Sequence, residues 1–417
     1  MKHKKLFEKA YSRLMELYGG EYSTPDIAIL SRFYQEKTIL GESELYMRYL
    51  DLFGKIREAA NQKGEHILVR GTTGSSFIAY LLGATETNPL PMHEYCPHCH
   101  AVQFIEKGVP LDRLASKCSC GGEFVCDGYD IPFESNLKSI LMERIQLCVS
   151  HTFYDEAKSM ISDEMWDKAL VILRNEDRTP TWLCFLDKET NEGGEYMLSG
   201  NSKLFNRFPR ITLVPQKTLD QRRELEKVTG FKMKDIGARE AKRMLPHFLE
   251  GNIENIPHFD NRFMRGIRNT VNPKSYDDLL KLIGFAYSTN IWKNNGEHLF
   301  LKNKMELSQI PAYRDELYQM ISSRLYQKGI CDTGLAYEIT GKAMRGYYAK
   351  TGGLDEDVLL ALFQLDFDYD FIAFLEKINY MFPKAHGAAY LREAVAMMFY
   401  KTKFNKEYNE IVLAEKF

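Results

Sequence analysis

Apolar residues recur at helical spacing near the start of the chain, in Leu6, Ala10, Leu14 and Leu17, and again in Tyr46, Tyr49, Leu50, Phe53 and Ile56. Residues 1–65 therefore read as helices. Gly19-Gly20 breaks the first from the next, and Ser23 or Thr24 fits as an N-cap with Pro25 at the first helical position. A strand-like His66-Ile67-Leu68-Val69 then meets a turn of small residues, Gly71-Thr72-Thr73-Gly74-Ser75-Ser76, and an apolar helical run from Phe77 to Leu82. Ile145 to Ser150 reads as strand or helix. Ala169–Leu173, Trp182–Leu186 and Glu195–Leu198 read as strands of a small sheet, with a turn at Asn191–Gly194 between the last two. From residue 236 the pattern is helical, punctuated by Pro257, Pro273, Pro311 and Gly352-Gly353. The pattern predicts an α+β chain. It has a helical part at 1–65, a mixed part at 66–235 with a cysteine-rich insert at 96–126, and a helical domain at 236–417.

Composition narrows the function classes. The 417 residues are 44% hydrophobic and 27% charged, ordinary for a globular protein, and the formal net charge is −2. Any nucleic-acid contact must then come from a local patch rather than from the field of the whole chain. No run of 18 apolar residues exists, so no membrane span is expected. The basic start, Met1 to Phe7, lacks the apolar stretch of a signal peptide, and a cytoplasmic location is expected.

Four of the eight cysteines lie in one segment: Cys96-Pro97-His98-Cys99, then 18 residues, then Cys118-Ser119-Cys120-Gly121-Gly122. Two short cysteine pairs on tight turns bring four thiolates to one tetrahedral centre, so Cys96, Cys99, Cys118 and Cys120 are expected to hold a structural zinc ion. His98, His100 or Cys126 could replace one ligand. The strand, small-residue turn and helix start at 66–82 form the kind of backbone that cradles an anion.

Several motifs, in the same order, resemble the PolC-type (C-family) replicative DNA polymerases of Gram-positive bacteria. Arg70-Gly71-Thr72-Thr73-Gly74-Ser75-Ser76-Phe77-Ile78-Ala79 resembles that family's RGSVGSSFVA turn. The likeness continues through Thr85 to Pro91, Tyr95 to Cys99 and Asp127-Gly128-Tyr129-Asp130-Ile131-Pro132-Phe133-Glu134. It resumes at Ile256-Pro257-His258-Phe259 with Phe263-Met264-Arg265, and at Thr289-Asn290-Ile291-Trp292 with Asn295. Lys377 to Tyr390 is similar to KIKYMFPKAHAAAY, with Gly387 in place of an alanine, where a looser helix is expected. The resemblance covers most of 40–140 and 225–417. It implies a polymerase-like palm with a zinc element, followed by helical fingers. It also implies phosphate contacts from Arg70, Gly71, Gly74, Ser75, Ser76, Arg262, Arg265, Lys384 and His386. Read from its residues alone, the last motif is more readily a Pro-broken helix packing Tyr380, Phe382 and Tyr390 into a core than a triphosphate contact from Lys384 and His386.

The resemblance fails where the chemistry should be. Phosphoryl transfer by a polymerase needs two metal ions held by carboxylates. The family places its aspartates in PDIDLNFS and LKLDILGH. The matching stretches here are Glu143 to Ser150 and Pro209 to Val214, which put Arg144, Gln146 and Thr212 at the aspartate positions. Asp127, Asp130 or Glu143 are the alternative ligands, although Asp127 and Asp130 match non-ligand positions of DGQDIPFE. An arginine in the metal space can pair with phosphate instead. Catalytic magnesium is not expected. The OB, PHP and exonuclease parts of the family are not expected before residue 1, and neither is a processive polymerase.

The expected function is a pseudo-polymerase that binds a deoxynucleotide, DNA or a replication protein without phosphoryl transfer. The alternatives are an active enzyme with relocated carboxylates and an interaction scaffold with no nucleic-acid role. The acidic run Asp366, Asp368, Asp370 and Glu376 suits a solvated helix or loop face better than a metal-binding strand.

Overall fold

The computed structural model describes all residues except 1, 21–24, 106–116, 134–143, 175–180, 190–191, 198–207, 234–235, 237, 303–304 and 414–417. It divides into two compact units, one of Met1–Ile105, Ala115–Ala238 and Phe399–Phe417, the other built on Arg239–Met398.

The first unit opens with three helices, α1 (Lys2–Tyr18), α2 (Ile27–Leu40) and α3 (Glu44–Gln62). The expected N-cap residues Ser23 and Thr24 lie outside the described residues. The cap of α2 is Asp26, whose side chain accepts the Ala28 N–H at 2.7 Å, so the helix starts later than Pro25 suggests. Strand β1 (Ile67–Arg70) leads into a 3-10 turn, Gly71–Ser75, and the short helix α4 (Phe77–Leu81). Next come β2 (His93–Tyr95), β3 (Val102–Phe104) and β4 (Val125–Asp127), which form a separate three-stranded antiparallel sheet in the order β3-β2-β4. Then follow β5 (Arg144–Val149), α5 (Tyr154–Glu164), β6 (Lys168–Arg174), β7 (Thr181–Asp187), β8 (Gly194–Met197), β9 (Arg210–Pro215) and α6 (Lys217–Thr229).

The strands expected to make a small sheet are half of a larger one. Its six strands run in the order β1-β5-β9-β7-β6-β8. Strands β5 and β9 pair in parallel, as do β6 and β8, and the other pairs are antiparallel. One face packs on the helices. Ile67, Val69, Ile145, Leu147, Val149, Leu183, Phe185, Ile211 and Leu213 join the same core as Leu14, Phe33, Leu50, Phe53, Phe77 and Phe153. Each such large apolar side chain contributes roughly 1.5–3 kcal/mol by leaving water. Side chains alternate across a strand, so the other face carries the opposite residues.

The second unit is helical. It comprises α7 (Ala238–Glu250), α8 (Arg262–Val271), α9 (Tyr276–Tyr287), α10 (Glu297–Leu301), α11 (Arg314–Gln327), α12 (Gly334–Ala343), α13 (Tyr347–Thr351), α14 (Glu356–Gln364), α15 (Tyr369–Glu376) and most of α16 (Lys384–Lys403). The end of α16 and α17 (Asn405–Leu413) belong to the first unit. The helix starts follow local chemistry: Asn261 caps α8, and Ser275 with Asp278 forms a capping box on α9. In the acidic run, Asp368 caps α15 and Asp366 pairs with Lys328 at 2.6 Å, so these groups serve helix ends and loops. Among the described residues, no helix is long and apolar enough to cross a membrane.

Gly387 has a packing role rather than a loosening one. A Cβ there would fall 2.1 Å from the Tyr313 hydroxyl oxygen. The buried Tyr313 ring uses that space to donate its hydroxyl to Leu280 O at 2.5 Å.

Candidate phosphate and metal sites

The turn from Arg70 to Ser76 leads into the start of α4, and that helix start already holds an anion. Gly71 sits at φ +87°, a left-handed conformation that suits glycine. Thr73, Gly74, Ser75 and Ser76 are buried. Glu36 of α2, wholly buried, reaches the start of α4. Its Oε1 accepts the Phe77 N–H at 2.9 Å, and its Oε2 accepts the Ile78 N–H at 3.0 Å and the Ser76 hydroxyl at 2.8 Å. These are donors that an approaching phosphate would need.

Arg32, one turn earlier on α2, balances the charge. Its Nε donates to Glu36 Oε1 at 2.5 Å, and its Nη2 donates to Ser75 O at 2.6 Å and Ile131 O at 3.1 Å. The pair thus ties the turn to the Asp127–Phe133 motif. A single sequence shows Arg32 and Glu36 only as an i,i+4 pair, so their role was missed. Of the turn's candidate phosphate residues, Arg70 is partly exposed and donates to Gln216 Oε1 at 2.6 Å.

Positions far apart in sequence meet on the sheet. Gln146 lies directly opposite Thr212 across the parallel β5–β9 pair and opposite Arg70 across the β1–β5 pair. The Arg144 position lies opposite Arg210. On the far side of β9, Trp182 pairs with Thr212 and Cys184 with Arg210. The three positions that the sequence resemblance sets at the family's aspartates are therefore neighbours. They are occupied by an arginine, an amide and a hydroxyl, with Arg70 and Arg210 in adjacent strands. Arg210 and Trp182 were not singled out from the sequence.

Of the alternative carboxylates, Glu143 lies outside the described residues. Asp127 belongs to a buried polar network. Its Oδ2 accepts from Tyr80 Oη at 3.0 Å and Asn88 Nδ2 at 2.9 Å, and its Oδ1 accepts the Gly128 N–H at 2.9 Å. Asn88 also donates to Tyr18 Oη at 2.9 Å, which lies 3.1 Å from His93 Nε2. Burial lowers the His93 pKa, and its Nδ1 lies 2.8 Å from Pro91 O. Nδ1–H therefore donates to that carbonyl, and Nε2 accepts from Tyr18. The network joins the small sheet to α1 and α4. Asp130 sits at φ +48° in the adjoining turn.

The four expected cysteines come together. The sulfurs of Cys96, Cys99, Cys118 and Cys120 all lie within 4.8 Å of one another, with Cys96–Cys120 and Cys99–Cys118 each at 3.5 Å. A zinc ion bound at about 2.3 Å places tetrahedral sulfurs about 3.8 Å apart, so the group fits a zinc site. Two tight turns build it: His100 N donates to Cys96 O at 2.8 Å, and Gly121 N donates to Cys118 O at 2.9 Å. A Cβ at Gly122 would come within 3.0 Å of the Cys96 sulfur, so glycine is needed for that close approach. The Cys120 backbone N–H holds the Cys118 thiol down to about 7, which favours the ligating thiolate. His98, His100 and Cys126 are not in the group.

The remaining candidates lie in the second unit. Arg262 and Arg265 are exposed on the first turn of α8, and Arg265 pairs with Asp260. Lys384 is held internally. Its backbone N–H donates to Asp315 Oδ2 at 2.7 Å, and its Nζ lies 3.9 Å from Glu316 Oε1. Glu316 also pairs with Lys281 at 3.0 Å. Burial alone would raise the Glu316 pKa, but Lys281 and Lys384 hold it below the usual carboxylate range. His386 stacks on Phe382 with ring centroids 4.8 Å apart. Phe382 and Tyr390 are buried, while Tyr380 is 43% exposed, so the motif is largely a packed core with one ring outside it.

A family model described as the bacterial DNA polymerase III alpha subunit finger domain matches residues 215–329. The chain is 25% identical over 478 positions to DNA polymerase III PolC-type of Streptococcus thermophilus, covering 94% of this chain and 32% of that protein. It is 24% identical to the PolC-type proteins of Staphylococcus saprophyticus, over 95% of this chain and 32% of the relative, and of Thermotoga petrophila, over 94% and 33%. The first of these alignments runs over more positions than the 417 residues present here, so that relative carries extra residues within the matched span. The chain spans about a third of the length of the curated relatives it matches. Across most of its length it is a distant homologue of PolC-type DNA polymerase III alpha, with a mixed six-stranded sheet, a four-cysteine cluster and a helical region that matches the finger domain.

Proposed function

We propose that this protein is a non-catalytic relative of the polymerase that binds DNA without transferring a phosphoryl group. One observation carries the reading. Gln146 and Thr212 face each other in register, with the Arg144 position and Arg210 as the next pair along the strands. Magnesium is held by carboxylates, phosphate oxygens and water, and neither an amide beside a hydroxyl nor an arginine suits it. The residues present do not fit the family's catalytic metals, and two-metal phosphoryl transfer does not operate here. Arg70 and Arg210, at neighbouring register positions, instead offer guanidinium groups to phosphate.

DNA is better supported as the ligand than a free triphosphate. The amides at the start of α4 hold Glu36, and Lys384 is paired with Glu316. The test is anisotropy of labelled primed DNA with the purified protein in magnesium and in EDTA. The expected result is equal binding in both, and binding that appears only with a divalent ion would overturn the reading. A protein partner is the second reading, favoured by the net charge of −2, and it predicts no DNA binding in either buffer.

A further inference from the structure

Resting on that reading, we infer that the outer face of the six-stranded sheet is a metal-independent binding surface for single-stranded DNA. The register places one row of residues straight across all six strands: Arg70, Gln146, Thr212, Trp182, Leu173 and Tyr196. Five strand spacings make this row about 24 Å long. The next row holds the Arg144 position, Arg210, Cys184, Val171 and Gly194. A third row adds Leu68, Cys148 and Val214. None of these positions carries a carboxylate, in a chain whose formal net charge is −2.

The chemistry changes along the first row. The β1–β5–β9 end is cationic and polar, while the β7–β6–β8 end is aromatic and aliphatic. The alternate residues, such as Leu147, Leu213 and Leu183, are buried in the core on the opposite face. Arg70, Gln146, Arg210, Thr212, Trp182 and Leu173 are partly exposed and Tyr196 is 53% exposed, whereas Cys148 and Cys184 are buried between them, so the first row is the part that meets solvent.

This combination fits a single strand better than other polyanions. Guanidinium groups take phosphates, and an indole and a phenol offer stacking surfaces to unpaired bases. A duplex keeps its bases stacked inside, and a flat sheet face offers no element that enters a groove. A free triphosphate would use the cations but leave the aromatic end idle. Few phosphates are contacted, so the salt dependence is shallow, with a log–log slope of about −1.4 for the two contacts of Arg70 and Arg210 on a single strand.

The test uses the full chain with labelled oligo-dT and oligo-U in EDTA, read by anisotropy between about 50 and 200 mM salt. Binding of oligo-dT supports the inference, and binding of oligo-U without oligo-dT would overturn it. Arg70→Gln and Arg210→Gln are each expected to weaken binding on the order of tenfold and to flatten the slope by about 0.7. Arg→Lys at both positions keeps the charge and restores most of the slope. Trp182→Phe should remove the indole quenching that accompanies binding. Melting temperature and zinc content establish that each variant is folded, and the Lys variants carry the comparison if a Gln variant is not. A triple variant, Arg70→Gln/Arg210→Gln/Trp182→Ala, that binds like the native protein would overturn the inference. So would equal affinity for a short duplex. Magnesium-dependent binding would instead count against the non-catalytic reading, so the two failures are distinguishable.

Discussion

Replacing Glu36 with glutamine keeps the shape of the side chain and removes the anion from the turn. The carboxylate accepts four hydrogen bonds in a fully buried position, from Arg32, Ser76 and the backbone of Phe77 and Ile78. In Glu36→Gln one oxygen becomes an amide N–H₂ group, which faces donors on whichever side it lies. Two donors lose their acceptor, and the Arg32 guanidinium loses its partner. An unsatisfied buried polar group costs about 1–3 kcal/mol, and breaking a buried ion pair about 3–5 kcal/mol. The expected loss is therefore about 3–5 kcal/mol, or roughly 10 °C in melting temperature for a unit of this size. Thermal unfolding followed by circular dichroism measures it. A second arm tests the cradle itself. In Glu36→Ala, added phosphate should raise the melting temperature more than in the native protein, because the vacated N–H groups can accept the ion. A Glu36→Gln loss below about 1 kcal/mol would refute the argument that this carboxylate organises the turn. Equal stabilisation of native and Glu36→Ala protein by phosphate would refute the claim that the cradle is already filled.

Three further outcomes are expected. Gly387→Ala should destabilise the second unit by about 1–3 kcal/mol through overpacking against Tyr313, and Tyr313→Phe in that background should recover part of the loss in denaturant titration. Elemental analysis of the native protein should give one zinc per chain, with Cys99→Ser losing the metal and a strong chelator lowering the melting temperature. Glu226 should make stability acid-sensitive. Burial would raise its pKa, but His66 at 3.0 Å and Arg222 at 3.1 Å pull it from 4.5 to about 2. A carboxyl with a depressed folded-state pKa stabilises fully above its unfolded value, and that stability is lost as pH falls toward the folded one. Here the window runs from about pH 4.5 to 2 and is worth about 3 kcal/mol, and Glu226→Gln should flatten the pH profile in that window.

Local features were legible in the sequence because they rest on local physics. Helical periodicity marked the N-terminal helices and the C-terminal helical region, and paired cysteines on tight turns marked the group at Cys96, Cys99, Cys118 and Cys120. What stayed hidden depends on closure between distant segments. Strands β5 and β9 pair in parallel across a long crossover, so no hairpin signal announced that six strands form one sheet. Arg32 and Glu36 drew no reading from the sequence, because only the packing of α2 over the start of α4 gives them their role of capping it internally. Gly387 read as a loosened helix because only packing brings Tyr313 against it. The start of α2 was misplaced because Asp26 competes with Ser23 and Thr24 as a cap, and propensity alone ranks such neighbours poorly.

The central claim is that the sheet positions Arg144, Gln146 and Thr212 carry no two-metal chemistry. Primer extension tests it most directly: purified protein, primed DNA, the four deoxynucleoside triphosphates, and magnesium or manganese, with primer length read on a denaturing gel. The account predicts an unextended primer with either ion. Templated extension that Gln146→Ala abolishes would contradict it.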